Sequence, residues 1–189
     1  MASEIIGQPL TLWLAPVGTP FPDFDEPESA YDPAWEKVGL SGDRNYGDGG
    51  VTVDLTQTLE TWVPSGGTLP RKVWRTEESV ELTVTVADVR AENLANALNG
   101  NAVTTGAGLK SISLLRGIEV QEYALLARGL SAYDETGVSQ IQVPRCYQSA
   151  EPSIVFDKGE GAATELTFSS LDAEGDDDNF VWIASTPGS

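Results

Sequence analysis

Two stretches near the middle of the chain constrain the fold more than any other feature. From Val51 the side chains alternate, with Val51, Val53 and Leu55 on one side and Thr52, Asp54, Thr56, Thr58 and Glu60 on the other. The pattern returns in "VWRTEESVELTVTV", where Val80, Leu82, Val84 and Val86 oppose Glu77, Ser79, Glu81, Thr83 and Thr85. Successive side chains of a strand point to opposite faces, so this period of two predicts two long strands, each oily on one face and polar on the other. Between them lies "WVPSGGTLPRKVW", which holds Trp62, Pro64, Leu69, Pro70 and Trp74 with the cations Arg71 and Lys72, and Arg75 follows directly. Glycine and proline break regular structure, so about residues 61–75 read as a long loop joining the two strands.

The other segments agree with a mainly β domain. "PLTLWLAP" alternates Leu10, Leu12 and Leu14 against Thr11 and Trp13, and "WEKVG" is a second, short strand closed by the turn-rich "GLSGDRNYGDGG". Only "ADVRAENLANALNG" takes a helical period, with Ala91, Leu94, Ala95 and Leu98 in one stripe. This predicts one helix over about residues 88–99, with Asp88 as N-cap and Gly100 just past its end. Beyond it "SISLLRG", "EYALLARGL", "SQIQVPRCYQ", "SIVF" and "TELTFSSL" read as strands, and Pro144 inside the third predicts a sheet edge or a bulge. A chain of 189 residues suits a single domain over residues 1–189 that needs no disulfide or metal staple. Residues 17–34, rich in proline, acids and aromatics, form a surface insertion. It either folds against the domain through Phe21, Phe24 and Tyr31 or is ordered by a partner.

Catalytic signatures are scarce. The chain has no histidine and one cysteine, Cys146. That excludes Ser-His-Asp triads, Cys-His dyads, His-ligated metals, zinc ribbons and an internal disulfide. "GAGLKS" fails as a phosphate-binding loop because Leu109 stands where a glycine must precede Lys110. "DAEGDDDNF" fails as a calcium loop, since its sixth position is Asp177 and its twelfth Ile183. No catalytic residue, metal or cofactor is therefore expected.

Charge narrows the partners. With 29 acids against 11 bases the formal charge is −18, which repels phosphate backbones and anionic membranes at long range. "ASEIIGQPL" after Met1 lacks the basic and apolar regions of a signal peptide, and no apolar run reaches membrane-spanning length. These features predict a chain that stays in the cytoplasm or leaves it by a route other than secretion.

The order of these elements resembles the major tail tube proteins of long-tailed bacteriophages over essentially the whole chain. The resemblance rests on "WEKVGLSGDRNYGDGGVTVDLTQTLETW", "RTEESVELTVTVADVRAENLANALNG" and the block from "VPRCY" to "ELTFSSL". It implies a β-sandwich or split barrel with one flanking helix and a long inter-strand loop. It further implies six-membered rings stacking into a hollow tube, with double-stranded DNA passing through the bore without specific binding. Partners implied are further copies of the chain, a tape measure protein, and tail tip and terminator proteins, with assembly in the host cytoplasm and a final place in the virion.

On that reading Trp62, Pro64, Leu69, Pro70, Arg71, Lys72, Trp74 and Arg75 form an assembly loop reaching the neighbouring ring. Thr52, Asp54, Thr56, Thr58, Glu60, Glu77, Ser79, Glu81, Thr83 and Thr85 become candidates to face the bore. The alternatives are a type VI secretion-like tube subunit, a β-sandwich carbohydrate or cell-surface module stacking sugars on Trp62 and Trp74, and a hydrolase working with carboxylates alone.

Overall fold

The computed structural model describes residues 9–87, 90–130, 138–154 and 162–173, and the backbone of 181–184. Ten strands and one helix follow in the order β1 (Thr11–Pro16), β2 (Glu36–Lys37), β3 (Tyr46–Trp62), β4 (Lys72–Val86), α1 (Ala91–Ala97), β5 (Thr104–Gly106), β6 (Leu109–Ser111), β7 (Glu122–Leu130), β8 (Val138–Gln148), β9 (Thr164–Ser170) and β10 (Val181–Ala184). The main sheet runs β2-β1-β7-β8-β9-β4-β3, with every pairing antiparallel and β10 on β8. It does not close into a barrel; the arrangement is a mainly β sandwich with one helix.

One core joins the two ends of this path. Leu12 and Leu14 of β1, Leu125 and Ala127 of β7 and Val143 of β8 pack with Leu82, Val84 and Val86 of β4 and Leu166 and Phe168 of β9. These are the oily sides of alternating strands, and each such side chain contributes about 1.5–3 kcal/mol when fully buried. Tyr46 links the layers, its hydroxyl donating to the Val38 carbonyl at 2.8 Å and accepting from the Leu12 amide at 3.1 Å. The turn before it is tight. Gly42 sits at φ +63°, where an added Cβ would lie 2.5 Å from Thr11 Cγ2.

The 17–34 insertion folds against the domain. Its Phe21 and Tyr31 cover a second apolar cluster of Trp13, Ala15, Trp35, Ala124 and Leu126 on the opposite face of β1 and β7. Three side chains catch alternate carbonyls of the strap: Trp35 Nε1 donates to Pro20 at 3.0 Å, buried Gln140 Nε2 to Pro22 at 3.2 Å, and an Arg128 amino group to Phe24 at 2.9 Å. Prolines lack an N–H, so a proline-rich strap presents carbonyls that the domain must satisfy with side-chain donors. Of the three expected anchors, Phe24 takes part through its backbone.

Several expectations change. The loop is shorter than 61–75, because β3 continues to Trp62 and β4 begins at Lys72. The β-branched and aromatic residues Thr61, Trp62, Val73 and Trp74 favour extended backbone and carry the ladder on. The helix spans Ala91–Ala97, and Asp88 lies outside the described residues. Its fully buried residue is Ala97, which the expected stripe omits, whereas Ala91, Leu94, Ala95 and Leu98 are half-buried. Asn99, at φ +66°, takes the left-handed position after the helix. The Gly100 amide then closes onto the Ala95 carbonyl at 2.8 Å, one residue later than Gly100 was placed from sequence.

"SISLLRG" is not a strand beyond Ser111. Residues 112–117 are irregular, and the carbonyls of Ser113, Leu115 and Arg116 are held by asparagine side chains instead of a neighbouring strand. Ser153 and Ile154 of "SIVF" are irregular too, and its last two residues lie outside the described set. Pro144 behaves as expected: opposite it the β7–β8 register shifts between Tyr123 and Leu125, which marks a bulge.

Candidate assembly surface

The surface is built on the β3–β4 pair. Thr52, Asp54, Thr56 and Thr58 stand directly opposite Thr83, Glu81, Ser79 and Glu77, so these candidates for the bore form two adjoining columns on one face. The Thr56 and Ser79 hydroxyls are 2.7 Å apart and share a hydrogen bond. Leu82, Val84 and Val86, at the alternate positions, are buried on the other face. Asp54 lies across from Glu81, an arrangement of like charges that destabilises an isolated antiparallel pair.

Strand β9 extends the polar face, which the reading of the sequence did not assign. Glu165, Thr167 and Ser169 pair with Thr85, Thr83 and Glu81. Ser169 donates to the Glu81 carboxylate at 2.9 Å, and the Thr83 and Thr167 hydroxyls meet at 3.1 Å. The alternation in "TELTFSSL", Glu165, Thr167 and Ser169 against Leu166 and Phe168, is the signal that could have revealed them.

Past Ser79 the pair leaves the sheet. Strand β9 accompanies β4 only over Glu81–Val86, so Gln57–Trp62 and Lys72–Glu78 form a two-stranded ribbon, exposed on both sides. Its ladder skips Thr76: Thr58 faces Glu77, whereas Leu59 faces Arg75. This bulge reverses the parity of β4. Trp74 opposite Glu60, and Lys72 opposite Trp62, therefore join the polar face, while Val73 and Arg75 fall on the side of Leu55 and Leu59. The basic cluster is thereby divided. Arg75 is engaged within the ribbon, with Nε donating to Gln57 at 3.0 Å and a terminal nitrogen to Glu78 at 2.7 Å. Neither Arg71 nor Lys72 forms an ion pair among the described residues.

At the tip the Arg71 amide donates to the Trp62 carbonyl at 2.9 Å and closes the 63–70 loop, in which Gly67 turns back on the Pro64 carbonyl at 2.8 Å. Leu69 is 76% exposed, and Trp62 and Trp74 are about half exposed. A two-stranded ribbon with bare apolar side chains is marginal alone in water, so this one is suited to a partner.

No comparable centre for chemistry is present among the described residues. None of their acids, with Cys146, gathers into a group of three able to hold a metal. Lys110, the lysine of "GAGLKS", pairs with Glu92 beside the turn that joins β5 to β6, where Ala107 and Gly108 both take positive φ. Of the acidic "DAEGDDDNF" stretch, residues 174–180 lie outside the described set. No described helix is long and apolar enough to cross a membrane.

An open antiparallel sandwich whose long edge strand has no second neighbour among the described residues, with a ribbon projecting from it, offers surfaces suited to self-assembly. A family model described as phage tail tube protein matches residues 4–189, and the chain belongs to that family. The family is structural, and its members build the tube of the phage tail. Comparison with curated proteins gives no match.

Proposed function

We propose that the chain closes into hexameric rings that stack into a hollow tube, with the polar face of β3, β4 and β9 lining the bore that carries double-stranded DNA. The observation that carries this reading is the composition of that face. Asp54, Glu60, Glu77, Glu81 and Glu165 stand among threonines and serines, and Lys72, at the ribbon's end, is the cation on it. Such a surface repels phosphate and lacks the arginine forks that arrest nucleic acid, so DNA slides past it. Asp54 across from Glu81 is a local destabilisation retained where negative potential is useful.

Among the described residues β3 pairs only with β4, leaving its other edge as a template for the next subunit. In this reading the ribbon and its tip, with Trp62, Pro64, Leu69, Pro70, Arg71, Lys72 and Trp74, make the contact between rings. Arg75 stiffens the ribbon from within. A tape measure protein sets the tube's length, and tail tip and terminator proteins cap it. Subunits remain apart in the host cytoplasm through their shared negative charge until a tail tip nucleates growth.

Negative-stain microscopy of concentrated protein tests the reading. Hollow rings or tubes are expected, and protein that stays monomeric at every concentration and in the presence of tail tips would refute it.

A further inference from the structure

A second apolar patch lies well away in sequence from the ribbon. Leu114, Leu115, Ile118 and Val120 are between 60% and 101% exposed. Unlike an ordinary loose loop, the segment that carries them is fastened from beneath. Asn99 Nδ2 donates to the carbonyls of Arg116 and Glu119 while its Oδ1 accepts from the Gln121 amide. Asn101 Nδ2 donates to the carbonyls of Ser113 and Leu115, each at 2.7 Å. Two asparagines at the end of α1 thus satisfy the backbone inward and leave the apolar side chains facing out. The surface is ordered before it meets anything, which lowers the entropy lost on docking.

Tubes grow by head-to-tail contacts, in which one surface of a subunit meets a different surface of the next. Among the described residues, exposed large apolar side chains gather in two places: the outer ribbon, with Leu59, Trp62, Leu69, Val73 and Trp74, and this asparagine-held segment. Each also carries an ion the other could meet. Among the described residues Arg71 and Lys72 form no ion pair at the ribbon's end, and neither does Glu119 beside Ile118. Of the cations nearby in sequence, Lys110 is paired with Glu92, and Arg116 of the segment itself keeps its charge but is directed to the Ala150 carbonyl at 3.0 Å.

We infer that the segment Ser113–Val120 is the receptor for the ribbon tip of a second copy of this chain, with Leu115 and Ile118 receiving Leu69 and the tryptophans and Glu119 meeting Arg71 or Lys72. The inference rests on the tube reading above and names the surface that reading leaves open.

The test joins Leu69→Cys with Ile118→Cys in the full chain and oxidises assembled protein; Cys146 is buried and does not interfere. A ladder of covalent oligomers on non-reducing gels is expected, absent from either single variant. Ile118→Glu, at unchanged melting temperature, should lower tube yield at least tenfold. Tubes whose oxidised double variant runs as monomer, or Ile118→Glu tubes at wild-type yield, overturn the inference while leaving the tube reading intact. Wild-type protein that forms no tubes overturns both.

Discussion

Replacing Val63–Pro70 by Asn-Gly separates a loop used for assembly from one that holds its own domain together. The Trp62 carbonyl already accepts from the Arg71 amide at 2.9 Å, the bond that closes a four-residue turn when two residues stand between. Asn-Gly is the sequence such a tight hairpin turn prefers. Shortening the loop about fourfold reduces its closure entropy by about 1 kcal/mol in favour of the folded chain. Against this stands little lost burial, since Leu69 is 76% and Val63 44% exposed and the buried core holds no residue of the loop. The net change is between about 0 and 1 kcal/mol of added stability, a rise of about 0–4 °C in melting temperature for a chain this size. Circular dichroism melts of the unassembled protein measure it, with microscopy scoring tube growth, which should be lost. A fall of more than about 5 °C would refute the reasoning, because it would show the loop packed onto its own domain.

Two predictions concern single residues. Arg145 grips both oxygens of Glu122, at 2.7 and 3.0 Å, and this hydrogen bonding holds the Glu122 carboxyl below its usual range. The stabilisation is therefore present at neutral pH and lost as the pH falls below the ordinary value of 4.5. Urea melts of wild type and Glu122→Gln should differ at pH 7 and converge in acid, and a gap constant across pH would contradict the assignment. Burial pushes the Cys146 thiol up to about 12, so a thiol reagent at pH 8 should label it only after unfolding in urea. Rapid labelling of native protein would contradict the burial.

Much of the sheet was legible in the sequence because alternation is a local property. The buried rows Leu82, Val84, Val86 and the exposed rows Thr52, Asp54, Thr56 stand on the faces their spacing predicts. What escaped depends on distant partners. Gln140 reaches Pro22 across 118 positions, and no local pattern announces that a buried glutamine will catch a proline's carbonyl. The bulge at Thr76 moves Trp74 to the polar face, and one skipped residue reverses every prediction made by counting in twos beyond it. "SISLL" alternates as a strand does, yet Asn101 takes the carbonyls of Ser113 and Leu115. The sequence alone does not show that side-chain amides will win those acceptors. Charge was legible as a sum, but the division of Arg75 from Arg71 and Lys72 required the register.

The central claim is that the acidic, hydroxyl-rich face of β3, β4 and β9 lines a bore. A density map of the assembled tube tests it most directly. The account predicts Thr52, Asp54, Thr56, Thr58, Glu77, Ser79, Glu81 and Thr83 around the inner wall, in a sheet continuous from subunit to subunit. A map with this face on the tube's exterior, or buried between subunits, would contradict it.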